Sequence, residues 1–114
     1  MKDKEYCLLF WEPGVRLKGT YETMNTVYRS SLNQQDKKNY NHPTIKPLNI
    51  IENFVKNSTE ENDTVLDCFM GSGTTGVACR NLNRNFIGIE IDNNYFEIAK
   101  ERINSQHQQM NLFD

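Results

Sequence analysis

The feature that most constrains the fold is the segment "TVLDCFMGSGTTGVA", in which an apolar run leads directly into closely spaced glycines. Gly71, Gly73 and Gly76 follow the G-x-G-x-x-G spacing. The run from residue 63 to residue 69 predicts a buried strand, and residues 74–82 predict a helix that begins at the glycines. A strand that passes through glycines into a helix is typical of parallel α/β sheets.

The flanking segments continue this alternation. Pro47 suits the first turn of a helix, in which Leu48, Ile51, Phe54 and Val55 recur at helical spacing. "NFIGIEI", residues 85–91, predicts a second strand. The predicted fold class is therefore α/β, with parallel strands flanked by helices.

The residues after the second strand predict a last helix, which Asp92, Asn93 and Asn94 could cap. Asn94 and Glu97 have the spacing of a capping box. The apolar residues of this helix recur on one face and are Phe96, Ala99 and Ile103. From Gln106 the chain is polar until "NLF".

The N-terminal third has a different character. "EYCLLFW", residues 5–11, predicts a strand that ends at Pro13-Gly14. Residues 14–41 show no sustained period and predict a long loop or a partly ordered arm, with a possible short strand or helix. A connection this long is unusual inside a compact domain and hints at function or at missing context. With 114 residues, the chain is one domain at most.

The cysteines and the apolar content limit the class of protein. Cys7, Cys68 and Cys79 are odd in number and form no C-x-x-C pair, so neither disulfides nor a zinc site are expected. The apolar run from Tyr6 to Trp11 is too short for a signal peptide core or a membrane span. A reducing cytoplasm is the expected location.

The charge is distributed unevenly along the chain. Residues 1–47 carry eight Lys/Arg and five Asp/Glu, whereas residues 48–114 carry five and ten. Tyr21, Tyr28 and Tyr40 are interleaved with the basic residues, which could suit nucleic acid. A solvated loop explains the same pattern, and charge alone favours that explanation.

The glycine loop has the position of a cofactor loop, at the carboxyl edge of the predicted sheet. It is not a P-loop, because no lysine follows the last glycine. Glu90 ends the second strand, 17 residues after Gly73. An acid there can accept hydrogen bonds from both ribose hydroxyls of an adenosine group, which NAD and S-adenosylmethionine share.

Asp67 distinguishes these two ligands. It lies next to the loop, where a dinucleotide would place its pyrophosphate, and its repulsion from two phosphates at about 4–6 Å costs a few kcal/mol. S-adenosylmethionine has no phosphate and carries an ammonium and a sulfonium, which a neighbouring carboxylate stabilises. The residues therefore favour S-adenosylmethionine over a dinucleotide. A glycine turn that binds nothing remains an alternative.

Three motifs in order, "HPTIKP", "DTVLDCFMGSGTTGVA" and "NFIGIEID", resemble the DNA amino-methyltransferases of the permuted (beta) class. Enzymes of this class methylate the exocyclic amine of adenine or cytosine in DNA. The resemblance covers residues 42 to about 103, and "EYCLLFW" is similar to the strand before their target-recognition insert. Cys68 replaces the proline of the usual "DPFxGSGTT" motif, which leaves the loop intact.

The resemblance implies a partial S-adenosylmethionine-dependent (Rossmann-like) fold and a set of cofactor contacts. The segment from His42 to Pro47 would lie under the methionine end of the cofactor, with Lys46 near its carboxylate. Asp67 and the loop would wrap the methionine and sulfonium, and Glu90 would hold the ribose. The implied cofactor-binding residues are His42, Thr44, Lys46, Pro47, Asp67, Phe69, Gly71, Ser72, Gly73, Thr74, Thr75 and Glu90.

The resemblance also implies a domain organisation. Residues 1–13 would be a strand of the methyltransferase core, and residues 14–41 a loop or part of the target-recognition region. Residues 42–105 would form the cofactor-binding α/β region, and residues 106–114 a polar tail.

The catalytic motif of this family, Asp/Asn/Ser-Pro-Pro-aromatic, is absent from the sequence, because Pro13, Pro43 and Pro47 are not adjacent. In the permuted class this motif precedes all the motifs quoted above. The chain is therefore expected to be the cofactor-binding portion of a DNA methyltransferase, with adenine favoured over cytosine. It is expected to need a catalytic half, or a second chain, to act on DNA. A non-catalytic cofactor-binding or DNA-associated module, or a degenerate remnant, is the alternative.

The tail "QMNLF", from Gln109 to Phe113, resembles the pentapeptide by which bacterial proteins dock on the replication sliding clamp. An extended tail could offer Leu112 and Phe113 to a groove as apolar anchors. The alternative, favoured by the residues, is that the apolar end of the tail packs on its own domain.

Overall fold

A computed structural model of the chain describes residues 5–19, 24, 27–28 and 46–111, with side chains of the last helix as far as Ser105. Five elements follow one another: helix α1 (Leu48–Ser58), strand β1 (Thr64–Asp67), helix α2 (Thr74–Asn81), strand β2 (Asn85–Gly88) and helix α3 (Asn93–Asn111). The predicted α/β alternation is therefore confirmed in this part of the chain.

The two strands form a parallel pair in which Thr64 lies opposite Asn85 and Asp67 lies opposite Gly88. Backbone pairing continues beyond the strands, since the Ile89 N–H donates to the Asp67 carbonyl at 2.9 Å. The Met70 N–H in turn donates to the Ile89 carbonyl at 3.0 Å. The residues that follow the two strands are therefore held side by side at the carboxyl edge of the sheet.

The apolar core lies between one face of this sheet and the helices α1 and α2. Val55 of α1 and Ala78 and Cys79 of α2 are its buried members. Partly buried apolar side chains from both strands and both helices pack around them; these are Leu48, Ile51, Val65, Leu82 and Phe86. The helical spacing in α1 therefore identified the packed face of that helix.

The expectation of a buried strand at residues 63–69 is wrong, because β1 is shorter and only half covered. Leu66 is 58% exposed and its neighbour across the pair, Ile87, is 54% exposed. Successive side chains of a strand point to opposite faces of the sheet. Among the described elements, helices cover the face of Val65 and Phe86 and leave the face of Leu66 and Ile87 open.

The predicted strand at residues 5–11 does not form in the structure. This segment has no regular secondary structure, and Tyr6, Leu8 and Phe10 are each at least 79% exposed. A strand exists only where its backbone groups pair with a neighbouring strand, and the described residues offer this segment no such partner. The assignment of residues 1–13 to a methyltransferase core stays a prediction.

Helix α3 begins two residues earlier than the predicted capping box requires. The Asp92 carboxylate accepts the Tyr95 N–H at 3.0 Å, so Asp92 is the capping residue and Asn94 lies inside the first turn. The helix also continues to Asn111, past Gln106, where the polar tail was expected to begin. None of the described helices combines the length and the apolarity that crossing a membrane requires.

Part of the N-terminal segment lies against α1. The Lys18 N–H donates to the Asn57 carbonyl at 2.6 Å. The Tyr28 ring packs edge to face on Phe54 with its centroid 5.2 Å away, and its hydroxyl accepts a hydrogen bond from Asn53 at 2.9 Å. Lys18 and Tyr28 therefore contact α1. The described residues within 14–41 contain no helix or strand.

Candidate functional site

The glycine loop between β1 and α2 depends on left-handed backbone that favours glycine. Gly71 has φ of 53° and Gly73 has φ of 83°. A Cβ on Gly73 would lie 2.8 Å from the Cβ of Ala99 in α3, closer than packed carbon atoms approach. Gly73 is thus required both by its conformation and by its contact with α3.

Asp67, at the end of β1, bridges the two ends of the loop. One of its carboxylate oxygens accepts the Phe69 N–H at 3.0 Å, and the other accepts the Thr75 hydroxyl at 2.7 Å. The acid therefore connects the start of the loop with the first turn of α2. Sequence analysis predicted all three residues for the site, and the structure brings them together.

Glu90 follows β2 and meets the loop directly. Its Oε1 accepts the Gly71 N–H at 3.0 Å, and its Oε2 accepts the Asp92 N–H at 2.9 Å. This contact results from the pairing of Met70 with Ile89, which aligns the two chain segments one residue earlier. The predicted acid and the predicted loop therefore form one structure, although 19 residues separate Gly71 from Glu90.

The segment before α1 reaches the same place. The Lys46 carbonyl accepts the Thr74 hydroxyl at 3.4 Å, which puts this backbone beside the first residue of α2. The Lys46 ammonium pairs with Glu5 at 2.8 Å, on the surface. Pro47 directly precedes α1 as its capping residue. His42 and Thr44, predicted for the site, lie outside the described residues.

Arg102 of α3 is a loop contact that the sequence analysis missed. Its guanidinium NH1 donates to the Ser72 carbonyl at 2.7 Å, to the Ser72 hydroxyl at 3.0 Å and to the Thr74 hydroxyl at 3.2 Å. Arg102, Ser72 and Thr74 are all buried. A signal was present, since helical spacing puts residue 102 on the packed face of Ala99 and Ile103.

Two apolar side chains stand exposed at the rim of the loop. Phe69 is 91% exposed and Ile91, next to Glu90, is 98% exposed. Ile91 was treated only as the end of a strand in the sequence analysis, and its position beside the loop follows from the pairing of Met70 with Ile89. The rim therefore offers apolar surface directly beside carboxylate oxygens, which is a usual composition of ligand sites.

The titratable groups of this region favour a cationic ligand. Asp67 and Glu90 are partly buried at the loop, so two carboxylates face a small region that also contains backbone N–H groups. Burial in the core raises the pKa of the Cys79 thiol to about 11, so this thiol is protonated at neutral pH and is a packing group. Within the described part of the chain, no cluster of His, Cys, Asp and Glu could hold a metal ion.

A family profile described as DNA methylase, of the N6/N4 methyltransferase type, matches residues 2–101. This chain belongs to the DNA methylase family. The match covers far more than the glycine loop and includes the N-terminal third, for which the resemblance drawn from sequence was weakest. Membership of the permuted class within the family stays a prediction.

The relatives of this DNA methylase chain are type II methyltransferases. M2.LlaDCHI of Lactococcus lactis subsp. cremoris is 48% identical over 82 residues, which cover 71% of this chain and 30% of that protein. M.BglI of Bacillus subtilis is 34% identical over 114 aligned residues, which cover 87% of this chain and 30% of that protein. The chain therefore spans about 30% of the length of these two curated relatives.

Solved structures show the same fold relationship. The crystal structure of M1.HpyAVI in complex with S-adenosylmethionine is 59% identical, with a TM-score of 0.52, over 54% of this chain and 30% of that one. TTHA0409 of Thermus thermophilus, also complexed with S-adenosylmethionine, is 29% identical over 70% of this chain and 39% of that one, with a TM-score of 0.51. The partial methyltransferase fold expected from sequence is therefore confirmed.

Proposed function

We propose that this chain is the S-adenosylmethionine-binding portion of a site-specific DNA methyltransferase that modifies the exocyclic amine of adenine or, less favoured, cytosine. The observation that carries the proposal is the hydrogen bond between Glu90 and the Gly71 N–H, because it unites the acid and the loop in one site. The family membership and the cofactor named for M1.HpyAVI and TTHA0409 support the same ligand.

The residues present have the chemistry that this cofactor requires. Each carboxylate oxygen of Glu90 accepts one hydrogen bond within the protein and retains a lone pair that a ribose hydroxyl can use. Asp67 adds negative charge beside the loop, where it would attract the sulfonium and the ammonium and would repel a pyrophosphate. Phe69 and Ile91 offer exposed apolar surface for an adenine ring.

The contribution of this chain to the reaction is binding and orientation. S-adenosylmethionine supplies an electrophilic methyl group on its sulfonium. The glycine loop, fixed by Asp67 at one end and by Glu90 at the other, would hold that end of the cofactor in one orientation. Holding donor and acceptor in line makes a displacement effectively intramolecular, which can lower the barrier by about 7–11 kcal/mol.

The binding of the target base is assigned to residues other than these 114. The Pro-Pro-aromatic motif that the family resemblance calls for is not in the sequence, and methylation of a base requires a pocket for the extruded nucleotide. We therefore include in the proposal a catalytic half, in the same polypeptide or in a second chain, that binds DNA together with this portion. A reducing cytoplasm, in which three free thiols persist, is the proposed location.

Calorimetric titration with S-adenosylmethionine, S-adenosylhomocysteine and NAD tests the proposal on the chain as it is. The two methionine-derived ligands are expected to bind and NAD is not. Glu90→Gln keeps the shape of the side chain but removes its charge, so we expect the Kd for S-adenosylmethionine to rise about tenfold or more. The matched control is Glu97→Gln, on exposed surface of α3, for which we expect less than a twofold change.

Preferential binding of NAD, or equal affinities of the Glu90→Gln and Glu97→Gln variants, would contradict the proposed site. Transfer of a tritiated methyl group to mixed DNA by the 114-residue chain alone would contradict the division of labour between this portion and a catalytic half. Binding of the cofactor without transfer, even after a catalytic half is added, would favour the alternative of a non-catalytic module.

Docking on a sliding clamp through residues 109–113 stays a separate proposal. Leu112 and Phe113, its apolar anchors, lie outside the described residues, and Gln109, Met110 and Asn111 form the end of α3. An extended peptide in a groove would require these three residues to leave the helix. Helix ends unfold at low cost, so the helix does not exclude such a contact.

A further inference from the structure

Arg102 is a buried, charged side chain of α3 that reaches the glycine loop. It is 6% exposed, and the three acceptors that its NH1 contacts are neutral: one carbonyl and two hydroxyls, all from Ser72 and Thr74. Burying a guanidinium is costly unless its hydrogen bonds are made. An apolar side chain at the same position could not supply these hydrogen bonds.

Apolar neighbours of Arg102 in α3 form the surface on which the loop rests. Ala99 lies against Gly73, close enough that a Cβ on the glycine would collide with it. The Ile103 side chain lies against both Gly73 and Gly76. These residues exclude large side chains from the loop but donate no hydrogen bond to it, so the Ser72 carbonyl depends on Arg102.

We propose that Arg102 is a positioning residue for the methyl donor, which acts by holding Ser72 and Thr74 and thereby sets the path of the loop from Gly71 to Thr75. The inference rests on the proposed function of the loop and goes beyond it by naming a residue that does not touch the ligand. The two N–H bonds of NH1 are shared among three acceptors of Ser72 and Thr74. These contacts hold the backbone between Gly71 and Thr74, which has left-handed conformations on both sides of Ser72.

The loop and Glu90 are linked, so the influence of Arg102 extends along the site. Gly71, next to Ser72, donates its N–H to Glu90, and Gly73, on the other side, donates its N–H to the Met70 carbonyl at 2.8 Å. When the Ser72 carbonyl loses its donor, the flanking amides are expected to open more often. The methionine end of the ligand, which lies at the loop, should therefore lose more affinity than the adenosine end at Glu90.

Three variants of the full chain test this inference. Arg102→Met retains the aliphatic stem but removes every donor, Arg102→Lys restores one charged donor, and Arg80→Met is the control at an exposed arginine of α2. We expect the Kd for S-adenosylmethionine to rise about 10- to 100-fold in Arg102→Met, partially recover in Arg102→Lys and change less than about twofold in Arg80→Met.

A second ligand separates positioning from general loss of structure. 5′-Methylthioadenosine contains the adenosine end and lacks the amino acid end, so its Kd is expected to change several-fold less than that of S-adenosylmethionine in Arg102→Met. Equal losses for both ligands in a folded variant would overturn the positioning role. If Arg102→Met does not fold, Arg102→Lys provides the same comparison, since it keeps the charge.

Hydrogen exchange of the free protein tests the role of Arg102 without any ligand. In Arg102→Met, the Gly71 and Gly73 amides are expected to exchange about tenfold faster, while the amides of β1 and α1 change little. Unchanged rates of amide hydrogen exchange at both glycines would overturn this inference, whatever Kd values the ligands show. A wild-type chain that binds no S-adenosylmethionine, yet shows Arg102-dependent exchange at the loop, would instead overturn the proposed function and support the loop contact.

Discussion

Cys79 illustrates how burial determines the chemistry of a single residue. Its side chain is fully buried in the core, whereas Cys7 and Cys68 are exposed. Burial raises the pKa of the Cys79 thiol from an ordinary 9.0 to about 11; Asp67 also raises it, while Arg84 opposes the change. The three cysteines therefore differ in reactivity for reasons that their number and spacing in the sequence do not contain.

The stability contributed by Cys79 is expected to fall in alkaline solution. Between pH 9 and 11 the unfolded thiol releases its proton while the folded thiol keeps it, so the unfolded state binds fewer protons and stability decreases as the pH rises. We expect a loss of at most about 3 kcal/mol across this range.

Urea unfolding at a series of pH values measures this effect as the difference between wild type and Cys79→Ala. The difference should be constant below pH 9 and should shrink above it, because other titrating groups contribute equally to both proteins. A difference that does not change up to pH 11 would show that the thiol titrates normally in the folded chain.

Among the elements, α3 connects the two halves of the site. The residue that caps the helix contacts Glu90, and residues of its later turns contact the loop. Asp92 caps the helix through the Tyr95 N–H and gives its own N–H to Glu90. Further along, Ala99 and Arg102 contact the loop. The start of α3 therefore determines the position of the contact with Glu90 as well as that of the contacts with the loop.

Replacement of the capping side chain should destabilise α3 without directly changing the residues proposed to contact the ligand. Asp92→Ala keeps the backbone N–H that Glu90 accepts, so the expected loss is that of a capping side chain, about 1 kcal/mol in the free energy of unfolding. Asn94→Ala, within the first turn, should change this free energy by less than about 0.5 kcal/mol. Urea unfolding compares the two, and an equal or larger loss for Asn94→Ala would favour the capping box predicted from the sequence.

At the scale of the whole molecule, the two faces of the sheet differ. Val65 and Phe86 pack into the core, whereas Leu66, Ile87 and Ile89 are each more than half exposed on the other face. Exposed apolar surface of this kind marks sites of interaction with another protein surface. We propose that the rest of a methyltransferase, which accounts for about two thirds of the relatives' length, covers this face.

The two faces should therefore respond differently to substitution in the isolated chain. Phe86→Ala removes a core side chain and is expected to lower the free energy of unfolding by about 3 kcal/mol, whereas Ile87→Ala, its neighbour on the open face, should lower it by less than about 1 kcal/mol. Urea unfolding measures both. Similar losses would mean that the open face is already covered, for instance by a second copy of the chain, which sedimentation would detect.

Local features of the sequence were sufficient to predict most of the elements. Apolar spacing predicted α1, and the glycines predicted the start of α2 at Thr74, where it begins. These predictions succeeded because helical period and glycine conformation are decided by residues close together in the chain. The expected cofactor agrees with the family and with the S-adenosylmethionine complexes of its solved members, whereas the roles of Asp67, the loop and Glu90 in binding it stay predictions.

Other properties depend on contacts between distant residues, and only the tertiary structure decided them. The sequence did not reveal the bonds from Arg102 to Ser72, 30 residues away, because an arginine in an amphipathic helix usually lies on the solvent side. Residues 5–11 have the composition of a strand but no partner among the described residues, and β1 is apolar yet covered on one face only. Strand formation and burial require a neighbour, and sequence pattern alone does not specify which neighbours a segment has.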